Sequence, residues 1–462
     1  MEHLSINEII DATKGNLVFK GTTESFNNVT IDSRKIKKGD IFFALKGENF
    51  DGHDYLENCA KSGAELLIIH KENFKKENIN ENTSIILVKD TREALKDLAE
   101  YYRRKLDIKV VGITGSTGKT STKDLIAAVL QEKYKVFKTK GNFNNEVGLP
   151  LMVFELDKSY EVAVLELGMS NLDEIHRLSK VARPDIAVIT NVGISHIENL
   201  KTRENILKAK MEITDFFTNE NLLIVNGDND LLSQVESHEY KIEKIGIESD
   251  YNFKACDIII GEENIKFKIL ENNLQIDENF EVNALGKHNV LNSLLAIAVG
   301  KKLNMNYKQI NKGLKNLEAT SMRLDIVKCD NFTIVNDAYN ASPDSMEAAI
   351  DVLMNLNGSR KFAVLGTMKE LGNEAPSAHE KIGKYAKDKK VDFLITTGEF
   401  SNDFKVGFGS ENFYSFENKE DIINFLNNKI RENDIVLVKA SRSMKFESIV
   451  NEIKDLKIKE GI

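Results

Sequence analysis

Along most of this chain, short β-branched runs alternate with stretches whose apolar positions recur at helical spacing, the pattern of parallel strands covered by helices. Over residues 1–88 the runs at 29–31, 41–45, 66–69 and 85–88 predict strands and 55–62 predicts a helix, together a small α/β unit. Residues 91–106 predict an amphipathic helix leading into a strand at 108–113, a turn, and a helix over 124–130. Strands at 162–167, 186–190 and 222–225 follow, separated by helices near 173–180 and over 205–217. From 241 to 285 the period changes, and short alternating runs such as 267–270 and 280–282 predict antiparallel ribbons. A strongly apolar helix from 286 to about 303 ends this part. Beyond Glu318 the alternation restarts, with strands at 333–335, 362–365, 393–396 and 435–438 and helices at 344–354, 378–387 and 421–429.

The fold class is therefore α/β with three domains. Residues 1–88 form a small N-terminal α/β domain, 89–318 a central P-loop parallel-sheet domain with antiparallel ribbons, and 319–462 a C-terminal Rossmann-like open sheet. In open parallel sheets ligands bind beyond the C-terminal strand ends. Polar clusters fall there: Glu166 with Gly168, residues 191–196, and residues 226–228.

The turn between the strand at 108–113 and its helix has the most specific chemistry. Residues 110–122 read V-V-G-I-T-G-S-T-G-K-T-S-T. A glycine-rich turn placed there converges backbone N–H groups and the positive end of a helix dipole on an anion, while Lys119 adds a point charge and Thr120 a hydroxyl for Mg²⁺. It suits nucleotide phosphates. The usual spacing would put a glycine at Ile113, and the turn is expected to use Gly112 and Gly115 instead. Glu166, at the end of an apolar strand, is a candidate Mg²⁺ ligand; His196, after the next strand, could join a second metal or simply hold a turn. N-K-E-D at 418–421 matches a guanine-reading motif, but no D-x-x-G accompanies it, and Asn and Asp at a helix start are ordinary caps.

The net charge of −9 argues against nonspecific nucleic-acid binding. Cys59, Cys256 and Cys329 are far apart and form no C-x-x-C, so neither a disulfide framework nor a cysteine zinc site is indicated and a reducing cytoplasm is expected. No apolar stretch approaches the ~20 residues that span a bilayer, and the N-terminus lacks a basic segment followed by an apolar run.

Several separated segments together resemble one family, the ATP-dependent Mur ligases. They are D-S-R-K-I-K-K-G-D-I-F-F-A-L-K-G-E-N-F-D-G-H-D-Y from Asp32, T-G-S-T-G-K-T from Thr114, G-N-F-N-N-E-V-G-L-P from Gly141 and E-L-G-M-S from Glu166. They continue with T-N-V-G-I-S-H-I-E from Thr190, G-K-H-N-V-L-N from Gly286, N-D-A-Y-N-A-S-P from Asn336 and V-L-V-K-A-S-R from Val436. The resemblance implies an amide ligase that uses ATP and two Mg²⁺, with UDP-N-acetylmuramoyl-tripeptide and D-alanyl-D-alanine as substrates, working as a cytoplasmic monomer.

It also implies roles residue by residue. Ser33, Arg34, Lys46, Gly47, Asp51, Gly52 and His53 would hold the UDP-sugar, and Asn144 and Asn145 would face the muramoyl-peptide. Gly115, Ser116, Thr117, Gly118, Lys119, Thr120 and Ser121 would bind ATP phosphates, with Asn289 at the adenine, Arg323 on the phosphates, and Asp337 and Asn340 reaching the nucleotide from the third domain. Thr120, Glu166, His196 and a carbamoylated Lys210 would hold the metals, and Lys119, His196, Lys210 and Arg323 would be catalytic. Two departures stand out: Thr367 replaces a usual aspartate, and Lys201 replaces a usual glycine after the histidine segment. A sister ligase with another acceptor, a folylpolyglutamate-synthase-like enzyme and a noncatalytic nucleotide-binding scaffold are the rival readings. The D-S-R and D-G-H-D segments speak against the second, and the intact Lys119, Thr120, Glu166, His196 and Lys210 against the third.

Overall fold

The computed structural model describes residues 1–72, 76–318 and 321–456. The expected boundary at 318/319 therefore abuts residues outside the described ones. Three sheets organise the chain. In the first, Val29–Thr30, Asp40–Phe43, Ala64–Ile69 and Ser84–Leu87 run parallel, and Asn16–Phe19 joins antiparallel at the edge. The pattern did not predict the elements over 4–26. There, helix Ile6–Thr13 starts at a capping box in which Ser5 and Glu8 satisfy each other's backbone N–H groups, and Leu4–Ser5 pairs with Ser25–Phe26.

Helix Thr91–Arg104, capped by the Asp90 carboxylate, links the first sheet to the second. It packs on Ile6–Thr13 on one side and on Gly148–Phe154 and Glu174–Ala182 on the other. Leu4, Ile9, Leu98, Tyr102 and Ala163 thus share one core, and the Tyr102 hydroxyl donates to the Leu156 carbonyl at 2.6 Å.

In the ten-stranded central sheet, Lys109–Thr114 lies between Val162–Glu166 and Ile186–Ile189, all parallel, so the ends of these three strands meet. Helices Lys119–Gln131 and His288–Lys302 cover one face. The expected ribbons are only partly so: Lys241–Gly246 runs parallel to Leu222–Asn226 and extends the sheet, and antiparallel pairing begins between Phe253–Ile260 and Ile265–Glu271. The helix expected over 205–217 is Arg203–Met211, followed by a 3₁₀ turn, Glu212–Thr214.

The third sheet, ordered Asp325–Lys328, Thr333–Asn336, Ile435–Lys439, Lys361–Gly366, Phe393–Thr397 and Phe413–Phe416, is parallel except at Asp325–Lys328 and has a core on each face. Its C-terminal strand ends bring Asp337, Thr367 and Ser441 to one edge, which faces the central domain. No helix among the described residues is long and apolar enough to cross a membrane.

Candidate active site

Strand Lys109–Thr114 delivers the chain into a tight turn that ends at Gly118, where helix Lys119–Gln131 begins. The turn uses Gly115 (φ 153°) and Gly118 (φ 77°). This corrects the expectation for Gly112, which lies within the strand against Pro184. A Cβ on Gly115 would stand 1.8 Å from Thr190 Oγ1, so only glycine fits. The turn is pinned from the neighbouring strand end. Thr117 N–H donates to Asn191 Oδ1 (2.8 Å), Asn191 Nδ2 donates to Thr117 Oγ1 (2.8 Å), and Gly193 N–H donates to Ser116 Oγ (3.0 Å). These bonds preorganise the loop, leaving little ordering entropy for a bound anion to offset.

Lys119 Nζ donates to the Gly115 carbonyl at 2.7 Å. Enclosure by protein pushes its ammonium below the ordinary lysine value; Glu166 opposes this, Arg323 adds to it, and Glu370 opposes it. Lys119, Glu166, Arg323 and Glu370 therefore share one electrostatic neighbourhood. Thr120 Oγ1 donates to Glu166 Oε2 at 2.9 Å, and Asn144 Nδ2 donates to Glu166 Oε1 at 2.9 Å. The hydroxyl and the buried carboxylate are hard oxygen donors of the kind Mg²⁺ takes together with nucleotide phosphates. Asn144 positions that carboxylate, while the Asn145 side chain accepts from Gly148 N–H (2.8 Å) and starts helix Gly148–Phe154.

His196 has φ 65°, and its Nδ1 lies 2.7 Å from Glu370 Oε2 of the third domain, close enough to pair but out of line for a hydrogen bond. Pairing with His196, and then the charge of Lys119, hold the Glu370 carboxyl below the usual range against the effect of burial. Lys210, in helix Arg203–Met211, is 1% exposed, and among the described residues its ammonium has no ion-pair or hydrogen-bond partner. Burial, then the charge of Lys119, push it well below an ordinary lysine. Lys201, at the family's glycine position, has φ 72°, and its Nζ reaches the Glu198 carbonyl at 2.6 Å.

Between the central and third domains lies a cavity of about 570 Å³ lined by Ser121, Leu125, Asn289, Arg323, Leu324 and Thr333 among others. Asn289 Oδ1 accepts from Asn292 Nδ2 (2.9 Å), and Asn292 Oδ1 accepts from Thr122 Oγ1 (3.1 Å), so this helix is keyed to the one that starts at Lys119. Arg323 stacks on Tyr339, its guanidinium carbon 4.2 Å from the ring centroid. Asp337 does not line the cavity; it is buried behind Leu324 and paired with Lys439, which also donates to the Asn340 carbonyl (2.9 Å). The Asn340 side chain is exposed. Sequence reasoning missed Asn292, Tyr339, Glu370 and Lys439. Asn292, Tyr339 and Lys439 lie inside segments already quoted, and Asn292 stands one helical turn from Asn289.

The remaining expected residues form a separate group on the first domain. Asp32 accepts Arg34 N–H and pairs bidentately with its guanidinium (2.8 and 3.0 Å), ordering the 3₁₀ turn Ser33–Lys35. Gly52 lies so close to Ala44 that a Cβ would stand 2.9 Å from its Cα. Lys46 and Asp51 form a backbone bridge, and Gly47 N–H donates to the Phe50 carbonyl at 2.8 Å. Both His53 ring nitrogens are used: Nε2 accepts from His70 N–H (3.1 Å), so Nδ1 carries the proton toward Asp51 (2.6 Å). Burial raises the Asp51 carboxyl, but Lys71 and His53 outweigh it and hold the group below the carboxylate range. Asn418 caps helix Lys419–Lys429, as its alternative reading required.

A preorganised phosphate turn at the ends of a parallel sheet, with an acid–hydroxyl pair beside it and a second open sheet closing the cavity, defines a multidomain P-loop enzyme. The chain belongs to the Mur ligase family. Residues 25–103 match the family model for the Mur ligase family, catalytic domain; 113–300 that for the Mur ligase middle domain; and 322–442 that for the Mur ligase, glutamate ligase domain. The chain is 39% identical to the UDP-N-acetylmuramoyl-tripeptide--D-alanyl-D-alanine ligase of Bacillus subtilis over 97% of both chains. It also superposes on a crystal structure of MurF from Acinetobacter baumannii with TM-score 0.90 at 28% identity, covering 98% of this chain and 99% of that one. MurF ligase from Thermotoga maritima in complex with ADP gives TM-score 0.83 at 29% identity, covering 93% and 97%.

Proposed function

We propose that this chain joins D-alanyl-D-alanine to UDP-N-acetylmuramoyl-tripeptide, converting ATP to ADP and phosphate, in peptidoglycan precursor synthesis. The observation that carries this reading is the end-to-end similarity to the B. subtilis ligase of that name. Amide formation from a carboxylate and an ammonium is uphill in water. The carboxylate first attacks the γ-phosphorus, ADP leaves, and an acyl phosphate results. The amine then attacks the acyl carbon, forming C–N as C–O breaks; one N–H proton leaves with the phosphate and the other goes to solvent.

Two anions must meet in the first step, so cations are needed there. Lys119 and the Gly115–Ser121 turn hold the phosphates, with Arg323 on their open side. Asn289 meets the adenine in the cavity, which Asp337 and Asn340 do not line. Thr120, Glu166 and His196 would hold two Mg²⁺, which supply charge neutralisation to the transferring phosphoryl group. Lys210 fits a carbamate: a lysine desolvated and unpaired is biased toward the neutral amine that adds CO₂, and the product is an oxygen donor. Ser33, Arg34, Lys46, Gly47, Asp51, Gly52 and His53 would form the UDP-sugar site and Asn144 and Asn145 would face the peptide. Domain limits of 1–88, 89–318 and 319–462, a monomer and a cytoplasmic setting complete the reading.

Thr367, buried at a strand end where the family usually has an aspartate, favours a second reading in which the acceptor differs. ADP release should be measured against a panel of UDP-muramoyl peptides, single amino acids and dipeptides. Preference for D-alanyl-D-alanine is expected; preference for a single amino acid would replace the first reading by the second.

A further inference from the structure

We infer that Glu370 is the residue that holds the ammonium group of the incoming amino acceptor at the reaction centre. This rests on the ligase reading above. Every other partner in that reaction is an anion, and the side chains gathered for it are the cations Lys119 and Arg323. The acceptor's reacting end is a cation and needs the opposite sign. Of the two carboxylates whose charges act on Lys119, Glu166 is taken by Thr120 and Asn144. Asp344 is held by Asn191, whose Nδ2 donates to its Oδ2 at 3.4 Å beside the phosphate turn. Glu370 is different. Its side chain is 53% exposed, and it reaches from the third domain toward His196 and Lys119.

The loop that carries it is built to hold that pose. It leaves the end of strand Lys361–Gly366, where Met368 N–H donates to the buried His379 (2.9 Å) and Lys369 N–H donates to Ser441 Oγ (2.9 Å). The Glu370 carbonyl accepts from Glu198 N–H at 3.3 Å across the domain junction. Glu370 itself has φ 66°, a left-handed backbone that non-glycine residues rarely adopt and that only surrounding contacts maintain. In this structure the carboxylate lies 2.7 Å from His196 Nδ1, and an arriving ammonium would replace that off-line contact with a charge-assisted hydrogen bond.

The test separates the acceptor from the steps before it. Glu370→Gln keeps the shape and removes the charge; Glu370→Asp keeps the charge on a shorter arm. Each variant is supplied with ATP, Mg²⁺ and UDP-N-acetylmuramoyl-tripeptide, then with either D-alanyl-D-alanine or hydroxylamine, an amine uncharged at neutral pH that converts an acyl phosphate to a hydroxamate. For Glu370→Gln, kcat/KM for the dipeptide should fall about 100-fold, chiefly through KM, as expected on losing one charged hydrogen-bond partner. Hydroxamate formation should stay within about twofold of the parent, and Glu370→Asp should recover part of the dipeptide activity. Equal loss of amide and hydroxamate would make Glu370 a domain latch or metal group, and dipeptide kinetics like the parent's would give it no part in the reaction; either result overturns the inference. A parent chain that forms neither product would overturn the ligase reading itself.

Discussion

Replacing Lys210 by methionine should make the ligand-free protein more stable while abolishing its activity. The ammonium is enclosed in helix Arg203–Met211 at 1% exposure, with no partner among the described residues, and burial and Lys119 both disfavour its charge. An uncompensated buried charge costs about 3–5 kcal/mol, less whatever is recovered by shedding the proton. Methionine has a chain of similar length, and such volume-conserving swaps cost less than about 1.5 kcal/mol. The net expectation is a gain of about 1–3 kcal/mol at pH 7, or roughly 2–4 °C per kcal/mol for a domain of this size. The folded pKa of Lys210 is depressed, so the unfolded chain binds more protons in the window between the two values, and stability of the parent rises with pH across it. The penalty is complete below the folded value and vanishes as pH approaches that of an ordinary lysine. Denaturant melts in CO₂-free buffer should therefore show Lys210→Met ahead of the parent at pH 7 and the two converging at higher pH. A variant no more stable at pH 7, or a gap that does not close, would refute the picture of a desolvated, unpaired amine.

Lys119→Ala should lower ligase turnover by roughly two to three orders of magnitude or more while the protein stays folded, because a charged phosphate donor is lost from the transition state; near-normal turnover would remove the turn from the mechanism. Gly115→Ala sets a methyl 1.8 Å from Thr190 Oγ1 in a left-handed backbone, and urea melts should show a loss of about 3 kcal/mol or more, with nucleotide protection gone. The polar contacts across the central–third junction include Glu370 with His196 and Asn191 with Asp344 at 3.4 Å, so ATP with a nonreactive precursor should draw the domains together. Small-angle scattering with no decrease in radius under saturating ligand would contradict that.

The phosphate turn was legible because its chemistry is local: strand, glycines, lysine and hydroxyl are contiguous, and the anion site needs no distant residue beyond the strand-end acid Glu166. Its internal geometry was not. Gly112 looked like a turn glycine, yet it lies in the strand, where the side chains of Pro184 and Ile213 pack so closely that a Cβ would stand 3.1 and 3.3 Å from them, and Gly118 does the turning. Lys241–Gly246 alternates polar and apolar residues because it is half exposed, which imitates a ribbon although the strand pairs parallel to its neighbour. Glu370 could not be found from pattern at all. Its meaning comes from a meeting with His196 that is far away in sequence, made by the approach of two separately folded sheets. The capping box at Ser5 and Glu8 was readable in principle, since S-I-N-E carries its whole signature.

Dipeptide ligation through an acyl phosphate can be followed as ADP release from the purified chain with ATP, Mg²⁺ and UDP-N-acetylmuramoyl-tripeptide, with and without D-alanyl-D-alanine. Sustained ADP release is expected only when the dipeptide is present, matched one for one by phosphate and by UDP-N-acetylmuramoyl-pentapeptide. Sustained release that ignores the dipeptide, or none under either condition, would contradict it.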